Sequence, residues 1–128
     1  MLIEYDAASD EVRAVYDDIR ATRQTDYINN FWKALAVHPP TLQRVWELVK
    51  SVMTRPGALD PLTRELIYLA VSITNGCEYC MASHKAAARA KGMTDEMYAE
   101  LVAIVGTANL TNRLADGFAV PLDDRFRA

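Results

Sequence analysis

The sequence predicts an all-α protein, and three observations carry this prediction. Gly and Pro number only five each in 128 residues, so the chain has few of the residues that end helices and form tight turns. Alanine, the strongest helix former, occurs 19 times. Apolar residues recur at three- and four-residue spacing in nearly every segment, which is the helical period. A chain of this length fits one domain, and we expect residues 1–128 to form a single compact multi-helix domain.

The first half of the chain predicts three helices. Ser9 can cap a helix that runs to about Arg23, because its hydroxyl can accept a backbone N–H of the first turn. A shorter helix is expected at 30–37 and stops before two consecutive prolines. Pro40 suits the first turn of the next helix, which is expected to reach Met53 before an Arg-Pro-Gly break.

The second half predicts four helices. Asp60 followed by Pro61 is a start signal, since an acid caps the first turn and proline is tolerated at its first position. The helix that follows is apolar nearly all round, so we expect it to be the central, fully buried one. Gly106 interrupts the last helical pattern and is expected to divide it into two helices. The predicted ranges are 60–74, 77–91, 94–105 and 110–117.

Charge and hydropathy exclude several classes of function. The chain has 14 basic and 17 acidic residues, and the basic ones are dispersed, which argues against a nucleic-acid partner. The acidic start, Met1 to Asp6, does not read as a signal or transit peptide. The longest strongly apolar run, Leu66 to Val71, is too short to span a bilayer, so no membrane association is expected. These features predict a cytoplasmic protein.

The motif that carries chemistry is Cys77-Glu78-Tyr79-Cys80, followed by His84. Two cysteines in one short segment do not make a disulfide-stapled scaffold. On a helix, the two thiols and the imidazole share one face, whereas Tyr79 points elsewhere. A thiolate near a helix N-terminus is stabilised, a nearby imidazole can take its proton, and the second thiol can close a disulfide. This pattern favours thiol-based reduction of a peroxide or disulfide.

Glu65 is the second candidate, because it lies in the middle of the most apolar helix. A carboxylate there needs a hydrogen-bonded partner or an elevated pKa. Taken alone, it predicts a structural ion pair with an arginine. His84, on the following helix, is the nearest candidate to make it part of a site, directly or through water.

These residues together carry a family resemblance. The series Glu65, eleven residues, Cys77-x-x-Cys80, three residues, His84 resembles the core of alkylhydroperoxidase D, in the carboxymuconolactone decarboxylase-like superfamily. Upstream, the segment Asn-Phe-Trp-Lys-Ala-Leu-Ala at 30–36 is similar to the entry segment of the peroxidase-related branch. The resemblance covers about 29–117.

The resemblance implies an all-helical fold that assembles into homo-oligomers, commonly trimers or hexamers. It also implies that Cys80 attacks the peroxide, that the more exposed Cys77 resolves the intermediate, and that His84 and Glu65 relay protons. The expected partners are a peroxide substrate and an external thiol or dithiol reductant, with no cofactor. The best-known member of the family has a histidine where this chain has Tyr79, and a phenol does not titrate near neutrality as an imidazole does.

Two other functions compete with the peroxidase. Cys77, Cys80 and His84, with Glu65 as a fourth ligand, could form a zinc site in a structural or interaction module, because zinc takes four such ligands. A lactone decarboxylase of the same superfamily would keep the fold without redox chemistry, although that branch lacks the cysteine pair. Apolar helix faces are numerous for a chain of this size, which agrees with the expected homo-oligomer.

Overall fold

The computed structural model describes residues 1–127, and the regular structure in them is entirely helical, as predicted. Six α-helices follow one another, with short 3₁₀ turns at Tyr5–Ala7 and Asp124–Phe126. The contacts gather the chain into two compact units, one spanning Met1–Pro56 and the other beginning at Gly57. The helices are α1 (Asp10–Arg23), α2 (Asn30–Leu35), α3 (Pro39–Thr54), α4 (Pro61–Asn75), α5 (Glu78–Ala90) and α6 (Asp95–Gly117).

The first unit is organised around buried aromatic side chains of α1, α2 and α3. The rings of Trp32 and Trp46 pack edge to face with centroids 5.3 Å apart, a favourable geometry for aromatic pairs. The Trp46 indole N–H donates to Asp18 Oδ2 at 2.6 Å, and Lys50 Nζ lies 2.9 Å from the same carboxylate. Tyr16 is fully buried and its hydroxyl donates to the carbonyl of Ile3. The polar atoms of this core are therefore satisfied as its apolar area is buried.

The second unit holds α4, α5 and α6 together through a small apolar core. Leu69 of α4, Ala88 of α5 and Met93 between α5 and α6 are buried, and partly buried side chains pack around them. The Asp60 carboxylate accepts the Thr63 backbone N–H at 2.9 Å and begins α4 as the sequence predicts. Thr94 likewise accepts the Met97 N–H and begins α6. These caps supply partners for backbone N–H groups that have none within their helices.

The predicted interruption at Gly106 is wrong, because α6 runs continuously from Asp95 to Gly117. A glycine inside a helix costs about 1 kcal/mol relative to alanine, which is too little to break a helix whose other residues favour it. Tertiary contacts add to this preference: Val105 is buried, and the Asn109 amide donates to both the Val105 carbonyl and Thr74 Oγ1 on α4.

The expectation that α4 is buried all round is also wrong for this chain. Glu65, Leu69 and Ser72 are buried, whereas Ile67 and Val71 are 49% and 54% exposed. The helices of the second unit that pack on α4 leave one of its faces uncovered.

None of the helices in residues 1–127 has the length and apolar character that crossing a membrane requires.

Candidate active site

The link between α4 and α5 positions the first thiol. Gly76 ends α4 in the left-handed conformation, with φ of 69°, which costs glycine less than any other residue. The Cys77 backbone N–H then donates to the Ser72 carbonyl at 3.0 Å. Cys77 thereby becomes the N-cap of α5. The local sequence Asn-Gly-Cys thus places a thiol where helix N–H groups point outward.

The two cysteines are free, half-buried thiols that interact with each other. The Cys80 side chain and the Cys80 backbone N–H both hydrogen-bond to the Cys77 sulfur, which lowers the Cys77 pKa. The same bond to Cys77 raises the Cys80 pKa, and burial adds to that rise. The hydrogen bond between the two side chains thus makes Cys77 the more acidic of the two thiols.

Glu65 and His84 form the direct pair that the sequence suggests. Glu65 Oε2 lies 2.7 Å from His84 Nδ1, and Glu65 is only 5% exposed. An Nδ1–H that donates to a carboxylate fixes the tautomer of the imidazole and leaves Nε2 as the basic nitrogen. His84 also lies one helical turn beyond Cys80 on α5. The arrangement can therefore accept a proton on the thiol-bearing face of this helix.

Lys91 is a site residue that the sequence reasoning missed. Its Nζ lies 2.9 Å from Glu65 Oε1, so the ion pair of Glu65 is with a lysine instead of the arginine that its isolated position predicts. Burial raises the pKa of Glu65, but the hydrogen bonds from His84 and Lys91 outweigh burial and hold it below its ordinary value. The seven-residue interval from His84 to Lys91 could have indicated Lys91, since two helical turns place both side chains on one face of a helix.

Tyr68 is the second missed residue. Its ring stacks on the His84 imidazole with centroids 3.7 Å apart and planes inclined by 21°. Burial raises the pKa of Tyr68, and the charges of Cys80, Cys77 and Glu65 raise it further. Tyr68 follows Glu65 by three residues on α4, and this one-turn spacing could have indicated it. Tyr79, in contrast, is 43% exposed.

The residues proposed as zinc ligands do not form a metal-binding cluster. Within residues 1–127, no group of three or more His, Cys, Asp or Glu side chains is placed to hold a metal ion. Both Glu65 oxygens already have partners in His84 and Lys91. The geometry therefore gives the zinc-module alternative no support.

The other histidine, His38, is the N-cap of α3 in the first unit, and its ring lies 2.8 Å from Thr41 Oγ1.

Comparison with known proteins now identifies the family. The family model for the carboxymuconolactone decarboxylase family matches residues 39–123. The chain belongs to this family. A crystal structure of the alkylhydroperoxidase AhpD core from Rhodospirillum rubrum is 54% identical, covers 94% of both chains and superimposes with a TM-score of 0.90. The all-helical fold and the AhpD-like resemblance are thereby confirmed.

Several curated relatives of this chain are named alkyl hydroperoxide reductase AhpD. A protein of Anaeromyxobacter sp. (strain K), called alkyl hydroperoxide reductase AhpD, is 32% identical over 91% of this chain and 65% of its own length. A protein of the same name from Gluconacetobacter diazotrophicus is 36% identical over 54% of this chain. The chain spans less than two thirds of the length of either relative, 65% and 38% respectively. The likenesses support an alkylhydroperoxidase-like enzyme, in a family whose name also includes a decarboxylase.

Proposed function

We propose that the protein is a cytoplasmic thiol peroxidase that reduces a peroxide with its cysteine pair and is restored by an external thiol or dithiol. The observation that carries this proposal is the short hydrogen bond from Glu65 of α4 to His84 of α5, the helix that is capped by Cys77 and bears Cys80. A carboxylate–imidazole pair beside a Cys-x-x-Cys unit supplies a nucleophile, a resolving thiol and a proton acceptor. The names of the AhpD relatives and of the Rhodospirillum structure support the same chemistry.

The proposed reaction has three balanced steps. His84 takes the Cys80 proton and the thiolate attacks the terminal peroxide oxygen; the O–O bond breaks, Cys80 becomes a sulfenic acid, and the alkoxide or hydroxide leaves as alcohol or water with the proton from His84. His84 next takes the Cys77 proton and the Cys77 thiolate attacks the Cys80 sulfur; an S–S bond forms, the S–O bond breaks and hydroxide leaves as water with that proton. An external dithiol finally reduces the disulfide and is itself oxidised to a disulfide.

A second order of attack is favoured by one observation. Because Cys77 has the lower pKa of the two thiols, it is the first to ionise and could attack the peroxide itself. The two orders are separated by treating Cys77→Ser and Cys80→Ser with one equivalent of peroxide and trapping sulfenic acid with dimedone. Our assignment expects the label on Cys80 in Cys77→Ser and none in Cys80→Ser; the opposite result would assign the attack to Cys77.

The function itself is tested by counting thiols. Reduced protein titrated with DTNB should lose both thiols for each equivalent of organic or hydrogen peroxide, and a dithiol should restore them. Each single-cysteine variant should lose catalytic turnover, because the cycle needs both sulfurs. If peroxide consumes no thiols, the peroxidase proposal is wrong. The decarboxylase alternative would gain support if both variants remained fully functional in the cell, and the zinc module would gain support from stoichiometric zinc in unchelated protein.

We also propose that copies of the chain associate, as the resemblance implies for trimers or hexamers. The second unit supports this, because α4 and α6 leave an apolar groove uncovered, and Ile104, which lines it, is 62% exposed. The groove is almost entirely aliphatic, and Glu100 is the one charged residue among those that line it in the described chain. Such a face suits a second copy of itself, because closed symmetric assemblies bury self-complementary patches. A single 14 kDa species in sedimentation at micromolar concentration would contradict this proposal.

A further inference from the structure

Glu65 is held from two sides. Its Oε2 lies 2.7 Å from His84 Nδ1, and its Oε1 lies 2.9 Å from Lys91 Nζ. The Glu65 side chain is 7% exposed and that of Lys91 is 37% exposed, so the ion pair connects the interior to the surface. Lys91 is itself fixed at the end of α5, because its backbone N–H donates to the carbonyls of Ala87 and Ala88. The lysine is therefore anchored by the helix that bears the thiols and His84.

We propose that Lys91 is a positioning residue of the site: it keeps Glu65 ionised and, by holding Oε1, keeps the other carboxylate oxygen, Oε2, directed at His84. The part that concerns the peroxide reaction rests on the proposed function, whereas the part that concerns the charge of Glu65 does not. A buried carboxylate with one neutral partner would tend to take up a proton, since burial disfavours its charge. A protonated Glu65 is a weaker acceptor for the His84 Nδ1–H, so the imidazole would lose the contact that orients it.

The other charged groups near this pair have different partners. Arg89 on α5 pairs with Asp95 at 2.6 Å, and Lys85 lies over the ring of Tyr98. Glu100 on α6 lines the apolar groove. On α4 itself, the Arg64 guanidinium lies beside Gly57. None of these contacts reaches the Glu65 carboxylate.

Tyr68 stacks on His84, and its pKa is raised by burial and by the charges of Cys80, Cys77 and Glu65, so these groups bring negative charge or none to the site. Of the two side chains that bond to Glu65, Lys91 is thus the one that balances its charge while His84 is neutral. This role differs from the general preference for a lysine at a helix C-terminus. Arg89, in the last turn of the same helix, shares that preference without touching Glu65.

The experiment compares three full-length variants with the natural chain: Lys91→Met, Lys91→Arg and the matched control Arg89→Met. The first measurement is the pH titration of the Glu65 carboxyl carbon by NMR, with its resonance assigned from Glu65→Gln. In Lys91→Met the midpoint should rise by about one pH unit or more, the effect expected when an adjacent cation is lost. Lys91→Arg keeps the charge and should stay close to the natural chain, and Arg89→Met should not move the midpoint.

The second measurement is the pH dependence of thiol loss on addition of peroxide. The acid limb of the Lys91→Met profile should move to higher pH by the same amount. At a pH below both midpoints, a shift of one unit lowers the rate about tenfold. A Glu65 midpoint that stays unchanged in folded Lys91→Met would overturn the proposal, as would a shift of equal size in Arg89→Met. If the natural chain does not react with peroxide, the proposed function fails, and the Glu65 titration still decides the role of Lys91.

Discussion

The two compact units contain the same arrangement of side chains with different chemistry. In the first unit, Asp18 binds a ring N–H from Trp46 and an ammonium group from Lys50. In the second unit, Glu65 binds a ring nitrogen of His84 and the Lys91 ammonium group. Both carboxyl groups have a pKa below the ordinary value. A carboxylate held by a ring N–H and a lysine is therefore a stable structural unit in this protein.

Two differences convert this unit into a candidate site. An indole N–H neither gains nor loses charge near neutral pH, whereas an imidazole takes up and releases a proton there. The Asp18 side chain is 45% exposed and the Glu65 side chain only 7%, so solvent screens the first cluster and not the second. The first cluster thus serves as an internal control, and the following changes test whether the two clusters differ as we infer.

The largest difference should come from replacing the two rings. His84→Asn removes the proton acceptor and should slow peroxide-driven thiol oxidation by about 10² to 10⁴-fold, the usual contribution of a general base. Trp46→Phe removes the equivalent N–H from Asp18 and should leave that rate unchanged, while lowering stability by about 1–3 kcal/mol because an acceptor loses its partner. Stopped-flow thiol oxidation and urea unfolding measure the two quantities. Equal rates in both variants would contradict a role for His84.

A smaller effect is expected at Tyr68, whose ring stacks face to face on His84, whereas Trp32 meets Trp46 of the Asp18 cluster edge to face. Tyr68→Phe preserves the ring that stacks on His84 and removes only the hydroxyl. Tyr68→Leu removes the stack, so the imidazole loses one of its supports and the rate should fall by about tenfold, as for other groups that orient a reacting residue. If Tyr68→Phe loses as much rate as Tyr68→Leu, the hydroxyl is the important part and the stack is not.

The pH dependence of stability should separate the two carboxylates. Because the folded pKa of Glu65 is lowered, its pairing stabilises the protein above the unfolded pKa, about 4.3, and this stabilisation is lost as the pH falls through the folded pKa. Glu65→Gln should therefore be less stable at pH 7 and lose less stability between pH 7 and pH 3. Asp18→Asn should show the same sign with a smaller change, because its charge is screened. Urea unfolding at a series of pH values provides the comparison.

The smallest expected effect is that of Gly106→Ala, which should change the stability of the second unit and leave the chemistry of its site unchanged. Gly106→Ala places a methyl group inside α6, where the new carbon has no neighbour within 4 Å other than the adjoining residues and the backbone of its own helix. It should stabilise the chain by about 0.5–1 kcal/mol, because alanine favours the helix and glycine does not. The rate of thiol oxidation should not change. A destabilised Gly106→Ala would indicate that this position needs the freedom of glycine after all.

Local patterns in the sequence predict most of this protein. Caps at Ser9 and Asp60 accept backbone N–H groups as expected, and Thr94 does the same, because capping depends on residues only three apart. The common face of Cys77, Cys80 and His84 is equally a matter of helical spacing. Gly106 shows where such patterns fail: a glycine weakens a helix locally, and contacts made by its neighbours decide whether the helix continues.

The sequence by itself determined the helical class, the position of the thiols at the start of α5 and the proximity of His84 to them, because each depends on neighbouring residues. Only the tertiary structure decided that Lys91 pairs with Glu65, that Tyr68 stacks on His84 and that one face of α4 remains open. These features depend on distances between helices. A seven-residue interval shows that two side chains share a face, but not which carboxylate on another helix lies opposite them.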